Sequence, residues 1–128
     1  ATRRRINPAE GQAAVAAWLR HETDRDQDPS GLDRATLATA VRFTLGELAA
    51  RAPGRAVEVR VPPFAAVQCL DGPRHTRGTP PNVVELGPEV WLALATGRLT
   101  WSDAVGSGRA QASGARADLS GALPLRLG

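Results

Sequence analysis

The 128-residue chain has no lysine, no tyrosine, no methionine and a single cysteine. Each absence narrows what the protein can be. One cysteine, Cys69, permits no disulfide within the chain, so packing must hold the fold together. The only histidines are His21 and His75. With Cys69 they make too sparse a donor set for a zinc site, so no metal is expected. Aromatic residues make up 4% of the sequence, which leaves a nucleic-acid-binding face short of the stacking side chains it needs. No apolar run approaches the roughly 18 residues that would read as a membrane span, so no stable membrane insertion is expected. The basic opening "ATRRRIN" is not followed by the long apolar stretch of a signal peptide. The expected compartment is therefore the cytoplasm.

What charge there is has one unusual feature. All 16 basic residues are arginine, set against 13 Asp plus Glu, for a formal net charge of +3. Arginine stays protonated at any physiological pH, so the sequence pI of 10.8 overstates the basicity. The arginines are spread through every segment. Only Arg3, Arg4 and Arg5 cluster, and they read as part of a basic N-terminal tail, residues 1–6. No nucleic-acid partner is expected.

The length suits one domain, residues 7–128, and a chain of this size can bury roughly two-thirds of its unfolded surface. Hydrophobic residues are 42% of the sequence, but alanine is the commonest of them and large core-formers are scarce. Small side chains let helices approach a sheet closely, and they equally leave room for a cavity.

Periodicity divides the chain into elements. "NPAEGQAAVAAWLRHE" carries a helix-start signature: Asn7 as cap, Pro8 at the first position and Glu10 in capping-box spacing. "TDRDQDPSG" is too polar and broken for an element and reads as a linker. Its alternating acids lack the glycine and distal glutamate of a calcium loop. "DRATLATAVRFTLGELAARAPG" predicts a longer helix capped by Asp33 and stopped at Pro53-Gly54, with Leu37, Val41, Leu45 and Leu48 along one stripe. In "RAVEVRV" the period drops to two, which predicts a strand with Val57, Val59 and Val61 buried. "FAAVQCL" predicts its antiparallel partner, with Val67 and Cys69 on one face. A third strand, "NVVEL", two short helices, "GPEVWLALATG" and "TWSDAVGSG", and a fourth strand, "RAQAS", follow. "ADLSGAL" predicts a last helical turn. This order is an α+β architecture with helices layered against one sheet.

The second half carries a further pattern: "PEVWLALATGRLT", then "DAVGSG", then the strand "GRAQASG", then "ADLSGALPL". It resembles the sterol carrier protein 2 family. Over about residues 4–125 the chain looks most like stand-alone bacterial sterol-carrier-like proteins, through "ATLATAVRFTLGELAARAPG", "VEVRVPPFAAVQC" and "GPRHTRGTPPNVVE". The resemblance implies an SCP2-like fold, a mixed sheet of about five strands with helices on one face and an apolar tunnel between the layers. Eukaryotic members hold sterols, fatty acids or fatty acyl-CoAs there. The family has no universal catalytic motif, so the resemblance implies no catalytic residue and no cofactor.

Against that background Phe43, Phe64, Val67, Trp91, Leu94 and Trp101 are the candidate apolar ligand contacts, and each is equally a core-packing candidate. Arg74, His75 and Arg77, in "PRHTRGT", are the candidate anion or head-group site, since two guanidinium forks and an imidazole suit a carboxylate or phosphate. Their competing role is structural, pairing with Asp71, Glu85 or Glu89. Two other functions stay open from the residues alone. One is an accessory or interaction domain, including a homodimer, that keeps the fold without a tunnel. The other is thiol chemistry by Cys69 with His75 as base.

Overall fold

The computed structural model describes residues 6–24, 31–72 and 82–127. Helix α1 spans Pro8–Thr23 and begins where its cap dictates, with the Asn7 side chain accepting the Ala9 N–H at 2.8 Å. Helix α2, Arg34–Arg51, is capped by Asp33, whose carboxylate accepts the Thr36 N–H at 2.8 Å and the Thr36 hydroxyl at 2.9 Å. Those bonds hold the Asp33 carboxyl below the ordinary carboxylate range.

The two helices meet closely at one point. A Cβ on Gly11 would fall 2.2 Å from Cγ of Phe43. Glycine inside a helix costs about 1 kcal/mol relative to alanine, and here its bare backbone is what lets the Phe43 ring rest against α1.

The sheet has the order β2-β1-β3-β4. Strands β1 (Val57–Val61) and β2 (Ala65–Cys69) form an antiparallel hairpin, β3 (Val83–Leu86) runs parallel to β1, and β4 (Ala110–Ser113) is antiparallel to β3. Val57, Val59, Val61 and Val84 are fully buried on the inner face. Glu58 and Arg60, which are ion-paired, sit on the outer face with exposed Gln68, Glu85 and Gln111. Among the described residues, helices therefore cover one face only. Among the described residues there are four strands, so the five-stranded sheet implied by the resemblance is not what is seen. Four is also the number that the alternating segments themselves predict. The stretch "ADLSGAL" forms a turn, with the Ala122 N–H donating to the Leu119 carbonyl at 2.9 Å, rather than a helix.

Helix α3 (Pro88–Ala95) and the short α4 (Trp101–Gly106) complete the layer. Two indoles stitch α3 to the others. Trp18 donates to Glu89 at 3.0 Å, and the fully buried Trp91 donates to the Thr44 hydroxyl at 2.8 Å. Thr44 in turn donates back along α2 to the Ala40 carbonyl at 2.7 Å. Thr44→Val should keep the volume and strand the indole N–H, at a cost of about 1–3 kcal/mol. Urea titration of Thr44→Val, of Trp91→Phe and of the double variant should show that Thr44→Val costs much less once the indole is gone.

One residue ties the sheet's ends together. Ala56 donates its N–H to the Leu70 carbonyl at 2.9 Å, and its own carbonyl accepts from the Asn82 side-chain amide at 2.8 Å. Asn82 is buried, and its side-chain oxygen also accepts the Arg116 N–H at 2.9 Å. Among the described residues no helix is long and apolar enough to cross a membrane.

Candidate ligand-binding cleft

Helix α2 has two working faces. Ala38, Val41, Leu45 and Leu48 turn into the core and are buried. Thr39, Arg42, Phe43, Gly46, Glu47 and Ala50 recur at the three- and four-residue spacing that puts them on another stripe, and all six line a cleft of about 990 Å³. The opposite wall is Phe64 together with Ala65 and Val67 of β2, and Ile6 and Pro8 at the start of α1 close a corner.

The β2 wall is exposed for a physical reason visible in the register. Val67 pairs with Val59 and Ala65 with Val61, so all four share the inner face of the sheet. Val59 and Val61 are completely covered, but Val67 and Ala65 are only half-buried. The helical layer thus covers β1 and stops short of one end of the edge strand. Cys69, at the other end of β2, is completely buried.

Gly46 sharpens the picture. It lies mid-helix, where glycine is unfavourable, yet nothing stands within 4 Å of where its Cβ would be. No packing constraint requires it. A larger side chain at this position would extend into the cleft.

The cleft's charged groups are held in place. Glu47 pairs with Arg51 at 3.0 Å. The Arg42 Nε–H donates to the Phe64 carbonyl at 3.2 Å, and the Arg34 guanidinium lies 5.1 Å from the centre of the Phe64 ring. Phe64 closes the turn after β1, where Pro62 and Pro63 are joined by a cis bond and the Phe64 N–H donates to the Val61 carbonyl at 2.9 Å.

Residues 33–125 match a family described as "Bacterial SCP ortholog". The chain belongs to this sterol-carrier-like family. The match runs from the cap of α2 to the tail beyond β4, so it includes the α2 and β2 walls of the cleft, while α1 lies outside it. No curated protein matches the chain.

The residues singled out from the sequence fall into three groups in this SCP-family fold. Phe43, Phe64 and Val67 meet at the cleft. Trp91 and Leu94 are buried in the core, and Trp101 opens α4 half-buried; none of the three lines the cleft. Arg74, His75 and Arg77 lie outside the described residues. Of their proposed partners, Glu89 accepts from Trp18, Asp71 accepts the Gly72 N–H at 3.0 Å, and Glu85 is exposed on the outer face. Arg42 and Gly46, also in the lining, lie off the strongest apolar stripe of α2; the sequence signal for them is a mid-helix glycine one turn after an arginine.

Cys69 is completely buried, and burial pushes its thiol up to about 11. A protonated thiol is a poor nucleophile. Iodoacetamide at pH 7.5 should label it slowly in the folded protein and quickly in urea. The same shift predicts a pH dependence. The unfolded thiol ionises near 9.0 and the folded one near 11. The folded state keeps its full advantage at this group below about pH 9 and loses it as pH rises towards 11. Denaturant titrations of wild type and Cys69→Ala across pH 8–11 should converge at the alkaline end.

Proposed function

We propose that the protein is a non-enzymatic sterol-carrier-like binding protein whose ligand is a lipid or other apolar molecule seated between α2 and β2. The observation that carries this reading is the half-uncovered inner face of β2, Ala65 and Val67, opposite Gly46 in a cleft of about 990 Å³. Small-molecule sites are typically concave, largely apolar and of about 300–1,000 Å³. Membership of the SCP family supports the same class of ligand. A fatty acid, an acyl-CoA or a sterol-like lipid fits the description. Binding at this margin differs from a tunnel through the middle of the layers, where Trp91, Leu94 and the β1 valines fill the space.

A binding role without a chemical step accords with the buried, protonated Cys69. The accessory-domain reading asks for an exposed apolar patch around Trp91, Trp101 and the C-terminal leucines. Trp91 and Leu125 are buried, and among the described residues Val105 is the one exposed large hydrophobic side chain.

Native mass spectrometry of protein purified without detergent should show bound lipid, and Nile red should brighten on binding and be displaced by added lipid. A protein that carries no lipid and leaves Nile red unchanged would sink the carrier reading.

A further inference from the structure

Arg42 is the one basic residue among the described residues lining the cleft. Arg42 is exposed, and its guanidinium is anchored along one edge. The Nε–H is committed to the Phe64 carbonyl, and Phe64 is itself held by its turn hydrogen bond and by the Arg34 guanidinium against its ring. Arg42 makes no other hydrogen bond or ion pair among the described residues, so its two terminal nitrogens are open. The acidic cleft residues do not compete for them: Glu47 is bonded to Arg51, and Glu10 has a partner of its own. A guanidinium fixed through Nε presents a planar pair of donors, the geometry that carboxylate and phosphate oxygens accept in pairs.

From Arg42 the lining stripe runs through Gly46 to Ala50, about 12 Å along the helix at its usual rise. Beside it lie Ala65 and Val67 of β2. Arg42 stands towards one end, one turn after Thr39, and small and apolar side chains follow along the groove, with Glu47 beside them held by Arg51.

We propose that Arg42 selects the ligand by the charge of its head. The occupant is a single-chain amphiphile with an anionic oxygen head, carboxylate or phosphate, held by the terminal nitrogens of Arg42, with its chain lying along Gly46, Ala65 and Val67. This rests on the cleft being the lipid site. It adds that a neutral lipid of the same length binds more weakly, and it places the head-group contact on α2.

The test uses Nile red, a neutral probe, displaced by dodecanoate, dodecyl phosphate and dodecanol from the wild-type protein and from Arg42→Gln and Arg42→Lys. In wild type at least one of the two anions should bind about tenfold more tightly than the alcohol, the scale of a charge-assisted hydrogen bond at a partly exposed site. Which anion leads distinguishes a carboxylate from a phosphate head. Arg42→Gln should erase that preference and leave dodecanol within about twofold of wild type, with an unchanged melting temperature. Arg42→Lys keeps the charge without the planar fork and should retain part of the preference. Wild type that binds acid, phosphate and alcohol equally would overturn the charge selection and leave the cleft reading standing. Arg42→Gln that still prefers the anions would do the same. Failure of all three to displace the probe, or of the probe to bind, would overturn both.

Discussion

Gly54→Ala should lower the stability of the protein by about 3 kcal/mol or more, at the severe end for a single methyl group, which corresponds to a melting temperature roughly 12 °C lower. Gly54 has φ +146°, a backbone conformation that other residues rarely adopt. The added Cβ would also stand 2.0 Å from the Leu70 carbonyl oxygen and 2.6 Å from the Asp71 nitrogen. These are main-chain atoms, so no rotamer change relieves the contact. Moving them disturbs two hydrogen bonds, Leu70 N–H to the Ala52 carbonyl at 2.7 Å and Ala56 N–H to the Leu70 carbonyl at 2.9 Å. Gly108→Ala separates the two contributions. Gly108 also has positive φ, +78°, but nothing stands within 4 Å of its absent Cβ, so its loss should be only the roughly 1–2 kcal/mol of left-handed strain. Equal losses in the two variants would mean that the close approach at Gly54 contributes nothing.

Gly46→Leu should cut the affinity for an apolar probe at least tenfold while leaving the protein as stable as before or slightly more so. Replacing a mid-helix glycine removes about 0.5–1 kcal/mol of unfavourable backbone entropy. The space around the absent Cβ is empty within 4 Å, so the new side chain meets no wall at its root and extends into the cleft. Gly46→Ala should show the stabilisation with a smaller loss of binding. Opposite signs for stability and binding would mark a helix that keeps its cleft open at a cost to itself. Nile red titration and thermal melts of the same samples measure both. Undiminished probe binding by Gly46→Leu would move the ligand site elsewhere.

Much of the scaffold is legible in the amino-acid order because its signals are local. Asn7 and Asp33 each accept the backbone N–H that their cap positions predict, both at 2.8 Å. The alternation of Val57, Val59 and Val61 with Glu58 and Arg60 separates buried from less buried residues as read. The candidate site was harder to see. Alternation says which side of β2 faces inward but not whether the next layer reaches it, and so Val67 and Ala65 appear no different from Val59 and Val61. On α2 the apolar stripe through Val41, Leu45 and Leu48 dominates, and the second stripe through Arg42 and Gly46 carries little hydrophobic signal. The tryptophans illustrate the converse limit. Their size marks them for burial, but whether they face a ligand or another helix depends on a tertiary contact, here Thr44 for Trp91 and Glu89 for Trp18.

The two bonds at Ala56 bear on where the strands can sit. Leu70, just after β2, and Asn82, just before β3, are fastened to the amide and the carbonyl of that single residue. The distance between these two points is therefore held by the scaffold itself. Ala56 is thus a two-sided clamp: the exit of β2 and the entry of β3 are referred to one point of the backbone.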